Sequence, residues 1–393
     1  MPAQTGRLVA LVAAVAVAAI TGGGALAYRQ GPQTAQADAA PLSTTASTAQ
    51  TPSPTPSPSA STPAAAAKRT PTVPPTSKPV ATGPVKTAID LKKLPPGRAP
   101  QVTYLSGRTI RGGAGEDIKV PGSTDIQDVA RLGNTALAVV SQGAGNELLT
   151  IDSQSTVTRR TPGVTQIVTT ADSTAAAYVG TQQKSTGEAL PGAIVYAERD
   201  QAQGVQQVKV PGVWDTTLLS YVGGKVYFDA SITQGGPSSL YEWTPGDPKV
   251  TQLKSVPRPT AVSSAGTAGS LTAQSDQSSC SNLLSVRSGK RLWRTCDYII
   301  TGFTPDGSTV IAGPKYQDGY ADGITAALDA KNGGLLHEWS GVFRQTIPED
   351  DQHLLLLADT GQDSPASIVR CTVSTGACEL ATPLAKGPLL IGS

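Results

Sequence analysis

One segment of the sequence, from Asp297 to Trp339, constrains the fold more than any other. It contains four short apolar runs, which are Tyr298–Phe303, Thr309–Ala312, Ile324–Leu328 and Leu335–Trp339. Pro305-Asp306-Gly307 and Asn332-Gly333 mark the first and third breaks as tight turns, because proline presets φ and glycine accepts a positive φ. The middle break is longer. Four strands joined in this way form a small antiparallel sheet that needs neighbouring copies to cover its apolar faces.

Inner strands of the same kind recur along the chain. The intervals lie between 38 and 49 residues when the register marks are Asp125, Val164, Val213, Pro259, Asp297, Val342 and Gly387. This period is typical of a β-propeller blade and not of a helical solenoid. Six complete blades fit between Asp125 and Pro383.

The two ends of the repeat region predict a seventh blade. Its innermost strand comes from Pro388–Ile391, and the others come from Val102–Leu105, Thr109–Arg111 and Ile118–Val120. Such a clasp pairs the ends of a ring and removes free sheet edges. The sequence therefore predicts an all-β fold, a seven-bladed β-propeller with an N/C-terminal clasp. A transmembrane or signal helix and a disordered Pro/Ser/Thr-rich stalk are expected to precede it.

Two local motifs carry a resemblance to known propeller families. Phe303–Val310 (FTPDGSTV) resembles the hairpin signature of TolB-type and WD-repeat propellers. Ala327–Leu336 (ALDAKNGGLL), followed by Trp339, is similar to the blade motif of quinoprotein dehydrogenase-like propellers, and Ser285–Trp293 (SVRSGKRLW) is a weaker copy. The resemblance implies a propeller, here in a bacterial membrane-anchored form, but no activity, since these families include enzymes and scaffolds. The quinone-dependent members use two adjacent cysteines, which this sequence lacks, so no cofactor is expected.

The N-terminal segment predicts export. Leu8–Tyr28 is an uncharged stretch of 21 residues, which is enough to cross a bilayer. The same segment also fits a secretory signal with a small-x-small cleavage site at Ala25-Leu26-Ala27. We favour an uncleaved, single-pass anchor in the cell membrane, because a long stalk follows it, and secretion after cleavage is the alternative. Either interpretation places the globular part outside the cytoplasm.

Composition divides the chain into residues 1–28, 29–100 and 101–393. The middle part is rich in Pro, Ser, Thr and Ala, and it cannot bury enough apolar surface to offset the entropy of ordering. Residues 1–100 carry nine Lys or Arg against two acids, whereas the rest of the chain carries 22 against 27. A mildly acidic globular part argues against a nucleic-acid partner. The basic leader is compatible with attraction to a membrane or an anionic wall polymer.

The four cysteines predict two disulfides. Cys280 and Cys296 are symmetric about a predicted turn at residue 288, and Cys371 and Cys378 are symmetric about one at residues 374–375. Positions symmetric about a hairpin turn face each other at a spacing suited to a disulfide. Export makes oxidation favourable. No metal site is predicted, because the chain has only two histidines and the cysteine spacing is poor for zinc.

The connections between the second and third strands of each unit are the predicted binding loops. They are longer and more varied than the first and third turns, and binding function concentrates on such loops. The alternative is that their length varies without function. The binding hypothesis names Lys184, Glu188, Gln234, Lys315, Tyr316, Asp318, Tyr320 and Asp322. No catalytic residue is assigned, and the acidic turn Glu349-Asp350-Asp351 is interpreted as a solvated tip.

The sequence favours a non-catalytic module of the cell envelope that binds or senses a ligand or protein. The N-terminal helix would hold it to the cytoplasmic membrane, and its partner would be a protein or an envelope polymer. Two alternatives stay open. One is a propeller enzyme, a hydrolase or lyase with its site in the central channel, for which the inner strands supply few carboxylates (Asp125, Asp128 and Asp215). The other is a structural protein that bridges membrane and wall.

Overall fold

A computed structural model describes residues 85–143, 145–184, 186, 188–201, 204–273, 279–315 and 320–392. They fall in one compact unit, Pro75–Ser393. Within these ranges the regular structure consists of 28 strands, without a helix. Accordingly, none of the described segments has the helical length and apolar character of a membrane span. The predicted anchor or signal, residues 1–28, and most of the predicted stalk lie outside the described residues.

The first strand of the described residues is β1 (Lys86–Ala88). One four-stranded sheet joins the two ends of the folded part and contains β2 (Tyr104–Ser106), β3 (Thr109–Arg111), β4 (Ile118–Lys119) and β28 (Leu389–Ile391). Its C-terminal strand pairs with β2, so that Leu105 lies opposite Leu390.

Four further sheets each contain four consecutive antiparallel strands. The first comprises β5 (Ile126–Leu132), β6 (Thr135–Gln142), β7 (Gly145–Ile151) and β8 (Val157–Pro162). The second comprises β9 (Val164–Thr169), β10 (Ala175–Gln183), β11 (Ala189–Arg199) and β12 (Gln206–Val210). The third comprises β13 (Trp214–Val222), β14 (Lys225–Ser231), β15 (Ser238–Trp243) and β16 (Thr251–Pro257). The fourth comprises β17 (Pro259–Val262), β18 (Thr267–Leu271), β19 (Ser281–Ser285) and β20 (Arg291–Thr295).

The last sheet is larger, because one long strand belongs to two four-stranded units. It comprises β21 (Tyr298–Phe303), β22 (Thr309–Pro314), β23 (Asp322–Asp329), β24 (Leu335–Pro348), β25 (His353–Asp359), β26 (Ala366–Thr372) and β27 (Cys378–Leu380), with β1 added to β24. The first half of β24 pairs with β23 and the second half with β25, and the register shifts between Phe343 and Gln345. The link between these two units is therefore continuous strand.

The first strands of successive sheets lie side by side in chain order. Contacts join β5 to β9, β9 to β13, β13 to β17, β17 to β21 and β21 to β24, and β28 contacts both β24 and β5. Glutamine side chains reinforce two of these junctions. The amide of Gln166 donates to Leu218 O (3.1 Å) and accepts from Leu218 N (2.8 Å), and Gln345 does the same with Ile391 (3.1 and 2.9 Å). This all-β arrangement of four-stranded antiparallel sheets is consistent with a β-propeller.

The apolar core is divided among the spaces between neighbouring sheets. One cluster, for example, joins Leu132 of β5 to Ile167 of β9 and Tyr178 of β10. Because each sheet is covered by its neighbours, side chains on both of its faces are buried.

Two tryptophans repeat one contact between adjacent units. Nε1 of Trp293 donates to Ala330 O (2.8 Å), and Nε1 of Trp339 donates to Gly376 O (3.1 Å). In each case an outer strand binds the last turn of the following unit. The indole ring supplies buried area, and its single donor finds a backbone partner.

Residues 85–101, which we call the strap, pack against the outer strands of the last sheet. β1 runs parallel to β24, with Lys86 opposite Glu338 and Ala88 opposite Ser340. Lys86 Nζ lies 3.0 Å from Glu338 Oε1. Further along, Leu91 is 5% exposed within an apolar cluster of the last sheet. The sequence assigns residues up to 100 to the stalk, whereas the structure shows residues 85–100 bound to the sheet.

Arg370 fixes the second half of the strap. Its side chain, 4% exposed, donates to the backbone oxygens of Arg98 and Ala99 (2.9 Å each) and to the carboxylates of Glu349 and Glu379. Glu349 also accepts from the backbone N of Gln101 (2.7 Å). Its side chain is 0% exposed, so the interpretation of residues 349–351 as a solvated tip is wrong for Glu349. The reason is that a distant arginine and the strap enclose this carboxylate.

Both predicted disulfides are confirmed. Cys280 and Cys296 bracket the β19–β20 hairpin, and Cys371 and Cys378 lie opposite each other in β26 and β27. Each pair has a Cα–Cα distance of 4.2 Å.

Candidate functional site

The described residues of the connections between the second and third strands of the sheets form the surface that we call the loop face. The strand ends set these connections at 107–108, 143–144, 184–188, 232–237, 272–280, 315–321 and 360–365. Because consecutive strands are antiparallel, these connections lie at the opposite end of each sheet from its first and third turns. The links between sheets lie at the same end as the loop face.

The connection between β10 and β11 (184–188) is shorter than the 180–192 loop that the sequence predicts, because both strands extend into it. In β11, Pro191 and Gly192 fall within a β-bulge, where Thr181 pairs with Ala193 and Gln182 pairs with Leu190. Gly192 has φ 112°, a conformation that favours glycine. A bulge accepts extra residues without ending the strand, so Pro191 and Gly192 lie within β11 rather than in a loop.

Six of the eight predicted binding residues are described, and the other two, Tyr316 and Asp318, lie outside the described residues. Lys184 and Glu188 form an ion pair between β10 and β11, with Nζ 2.8 Å from Oε2. Gln234 and Lys315 are exposed, after β14 and β22 respectively. The remaining two, Tyr320 and Asp322, border β23. The six described members of this set are therefore distributed over three connections, which belong to three different sheets.

Tyr320 belongs to a cluster around a buried carboxylate. Its hydroxyl donates to Asp359 Oδ2 (2.9 Å), and Nε of Arg344 lies 2.9 Å from the same oxygen. Gly361 N donates to Oδ1 (2.9 Å), and the Asp359 side chain is 2% exposed. Burial and the hydrogen bond to Asp359 raise the pKa of Tyr320. Asp359 therefore holds Tyr320 and the start of the 360–365 connection in place. Its negative charge is balanced by Arg344.

A cavity lies on the loop face between the β5–β8 sheet and the β9–β12 sheet. Its volume is about 400 Å³. We call this cavity the polar groove. Three amide side chains, two threonine hydroxyls and one carboxylate border it, and they belong to Gln142, Asn146, Gln183, Thr165, Thr181 and Glu147. In the described part of the chain, the amide and hydroxyl groups of this set have no hydrogen-bond partner within the protein. Glu147 pairs with Arg160, whose Nη1 lies 2.6 Å from Oε2.

Close backbone contacts at Gly163 shape the polar groove. Gly163 N donates to Asn146 O (2.8 Å), and Gly163 O accepts from Thr181 N (3.0 Å). Its φ is 76°, and a Cβ here would lie 2.9 Å from Thr181 O. Two residues on, Thr165 is left out of the β9–β10 pairing by a β-bulge and borders the groove. Glycine and the bulge together keep this side of the groove open.

A second cavity, of about 250 Å³, lies between the strap and the last sheet. Strap residues 89–91 form one side, and residues 341–343 and 358–360 form the other. Asp359 therefore belongs both to this cavity and to the Tyr320 cluster.

Four described residues that could support catalysis or metal binding are engaged in structural contacts. His337 Nε2 lies 3.0 Å from Thr87 Oγ1 of the strap, and burial lowers the pKa of His337. Glu349, Asp350 and His353 are close enough to share a metal ion. However, Glu349 is bound to Arg370, and His353 Nδ1 lies 2.9 Å from Asp350 Oδ1. The three residues lie at the end of the sheet opposite the loop face.

Two of the three inner-strand carboxylates considered for an enzyme bind backbone groups. Asp128 accepts from Val129 N (2.8 Å) and from Ile167 N (3.1 Å) on the neighbouring sheet. Asp215 Oδ2 accepts from Gly235 N (2.8 Å). These contacts connect strands and loops, while Asp125 is exposed before β5.

Sequence reasoning missed the polar groove and the Arg344–Asp359 pair. The amides and threonines of the groove are ordinary strand and turn residues, and only a bulge and a close backbone contact bring them together. Arg344 carried one usable signal, because it is a charged residue in the inner-strand sequence VFRQT. A charge in such a strand needs a partner, although the sequence does not say which one.

Comparison with known proteins finds likenesses of fold alone. Neither a protein-family model nor a curated protein matches the chain. An uncharacterized protein of Listeria monocytogenes matches 70% of this chain and 92% of its own length, with 8% identity and a TM-score of 0.46. TolB from Acinetobacter baumannii matches 60% of this chain and 65% of its own, with 14% identity and a TM-score of 0.38.

Prolyl oligopeptidase B from Galerina marginata also resembles this chain. The match covers 68% of this chain and 43% of that protein, with 11% identity and a TM-score of 0.48. The chain therefore spans less than half the length of that protein. These solved structures include the β-propeller TolB, and the propeller-like architecture of this chain rests on its own sheets.

Proposed function

We propose that this chain is a membrane-tethered, extracytoplasmic β-propeller that acts as a non-catalytic binding or sensing module of the cell envelope. The observation that carries the proposal is the polar groove, a cavity of about 400 Å³ on the loop face. Its volume lies in the range of ligand pockets, about 300–1,000 Å³. Its amide and hydroxyl groups are not used by the protein, so they are available to a partner.

The envelope location is supported by the chemistry of the cysteines and by the N-terminal composition. All four cysteines are paired in disulfides, which persist in oxidising compartments outside the cytoplasm. An apolar stretch of 21 residues and a Pro-rich linker precede the folded part. We infer that the linker holds the propeller away from the membrane, with a protein or an envelope polymer as partner.

We further propose that the sheets form seven blades closed into a ring. The cycle of neighbouring strands from β5 through β24 to β28 and back to β5 supports this arrangement. In it, β24 serves as the outer strand of one blade and the inner strand of the next. β28 supplies the inner strand of the blade that begins with β2, and this pairing is the proposed clasp.

A non-catalytic role is supported by the contacts of the candidate catalytic groups. His337 holds the strap, His353 binds Asp350, and Asp128 and Asp215 accept backbone hydrogen bonds. A general base must be able to reach the proton it takes from a substrate. These side chains have protein partners instead.

The experiment places a photo-crosslinking residue at position 142, in the polar groove, in the full-length protein. The matched control has the same residue at position 207, where Gln207 is exposed on β12. In the cells that make the protein, we expect irradiation to link position 142 to an envelope macromolecule and position 207 to give only background. Equal products at the two positions would contradict a binding role for the groove.

A further inference from the structure

The polar groove offers more hydrogen-bonding capacity than the protein uses. Gln142, Asn146 and Gln183 each present a carbonyl and an amino group, and Thr165 and Thr181 each present a hydroxyl. Among the described residues, these five side chains have no partner within the protein. A ligand in the groove therefore meets several donors and acceptors without having to break a protein contact.

The one charged residue of the described lining, Glu147, and Lys184, which lies outside that lining, are already paired. Glu147 is bound to Arg160, and Lys184, which follows Gln183, is bound to Glu188. Recognition of a phosphate or carboxylate uses an available cation, usually arginine or lysine. Since both cations here have a carboxylate partner, the groove favours an uncharged ligand.

The apolar surface of the groove is about equal in extent to its polar surface and is aliphatic, since the described lining contains no aromatic ring. A lipid or an apolar peptide side chain requires a hydrophobic pocket, and a nucleobase requires an aromatic surface for stacking. The lining instead matches a ligand with a high density of hydroxyl groups.

We propose that the polar groove binds a neutral polyhydroxylated ligand, namely a short segment of an uncharged polysaccharide. This inference deepens the proposed function and rests on it, because it names the class of partner for the same groove. Each sugar hydroxyl both donates and accepts a hydrogen bond, and a side-chain amide offers one donor and one acceptor group to match. Gln142 and Gln183 are exposed, so one segment of a polymer can lie across the groove while the rest of the polymer continues into solvent.

The test uses saturation-transfer NMR on the full-length protein with defined probes. The neutral probes are maltohexaose, cellohexaose and chitohexaose, and the comparison probes are hexagalacturonate and a Gly-Ser peptide. We expect at least one neutral oligosaccharide to bind with a dissociation constant in the millimolar range or below. Asn146→Ala and Gln183→Ala should each weaken that binding about three- to tenfold, since each removes hydrogen bonds to the ligand. Gln207→Ala, on β12, should leave it unchanged.

Three results would overturn the inference. One is that none of the neutral oligosaccharides binds in the millimolar range. Another is that binding is the same in Asn146→Ala, Gln183→Ala and the unmodified protein. The third is that hexagalacturonate or the peptide is the ligand that the groove substitutions weaken.

The crosslinking experiment separates this inference from the proposed function. If position 142 captures a protein while the oligosaccharides fail to bind, the carbohydrate inference is wrong and the binding role stands. If position 142 captures nothing above the control at position 207 and no oligosaccharide binds, both are wrong.

Discussion

Asp229 in β14 is a carboxylate in an unfavourable environment. It lies within the β13–β16 sheet, opposite Thr217 on one side and Leu240 on the other. Burial raises its pKa to about 6, and contacts with Ser238 and Thr217 offset only part of this effect. The folded protein therefore holds a proton here that the unfolded chain releases near pH 3.8. The stability that this group contributes is present below that pH and is lost as the pH rises through about 6.

Replacement of this carboxylate should stabilise the protein at neutral pH. Asp229→Asn keeps the shape and removes the charge, so we expect the free energy of unfolding at pH 7 to rise by up to about 3 kcal/mol. At pH 3.5, where the native carboxyl is protonated, the two proteins should be equally stable. Urea unfolding at both pH values measures the difference.

Asp172 provides a control, because folding shifts its pKa in the opposite direction to that of Asp229. Hydrogen bonds from Thr170 and Thr174 lower its pKa, so its ionised form is favoured by folding. Asp172→Asn should therefore reduce stability at pH 7. A loss of stability at pH 7 in Asp229→Asn would show that ionised Asp229 has compensating contacts.

At the scale of elements, the strap shows how a segment of linker composition becomes ordered. Residues 85–101 follow a Pro-rich linker, and a three-residue strand such as β1 is not stable in isolation. The outer edge of β24 supplies its hydrogen-bond partners, and the last sheet covers Leu91. The strap in turn covers part of an exposed sheet edge, which would otherwise be open to pairing with other chains.

Shortening Leu91 should release the strap. Leu91→Ala removes much of its buried apolar area, and Leu→Ala substitutions in cores cost about 2–5 kcal/mol. We expect trypsin to cleave after Lys86, Lys92 and Lys93 about tenfold faster or more, because cleavage follows the population of the opened state. Mass spectrometry of timed digests measures these rates.

The matched control for this substitution is Leu292→Ala, since Leu292 is 47% exposed on β20. It should leave cleavage in the strap unchanged. If Leu91→Ala and Leu292→Ala are cleaved at the same rate, the strap is not held by its apolar contact.

For the whole molecule, the pairing of β28 with β2 joins residues from both ends of the folded part. Gln345 also binds both backbone polar groups of Ile391, so the last strand is connected to two neighbours. Removal of residues 389–393 leaves β2 as a free edge and exposes apolar residues such as Leu105. Free edges of this kind favour association between molecules.

We therefore expect this truncated protein to unfold at a temperature at least about 5 °C lower and to form oligomers. Calorimetry and light scattering after size exclusion measure these effects, and removal of Ser393 alone is the control. A monomer with an unchanged melting temperature would contradict the proposed closure.

Much of the sheet pattern could be predicted because it depends on neighbouring residues in the sequence. Pro305-Asp306-Gly307 and Asn332-Gly333 lie in turns between strands, as expected. The disulfides followed from the same turn positions, since residues symmetric about a hairpin turn face each other. The loop predicted at 180–192 was too long, because Pro191 and Gly192 fit a bulge as well as a loop.

The amino-acid sequence by itself determined the strand class, the repeat period and the cysteine pairing, because turn chemistry and apolar runs act over a few residues. Only the tertiary structure decided that residues 85–101 bind the last sheet, that Arg370 buries Glu349 and that the polar groove exists. Each of these depends on groups from separate strands or sheets, and their approach is set by packing and backbone pairing. Such contacts leave no local pattern in the sequence.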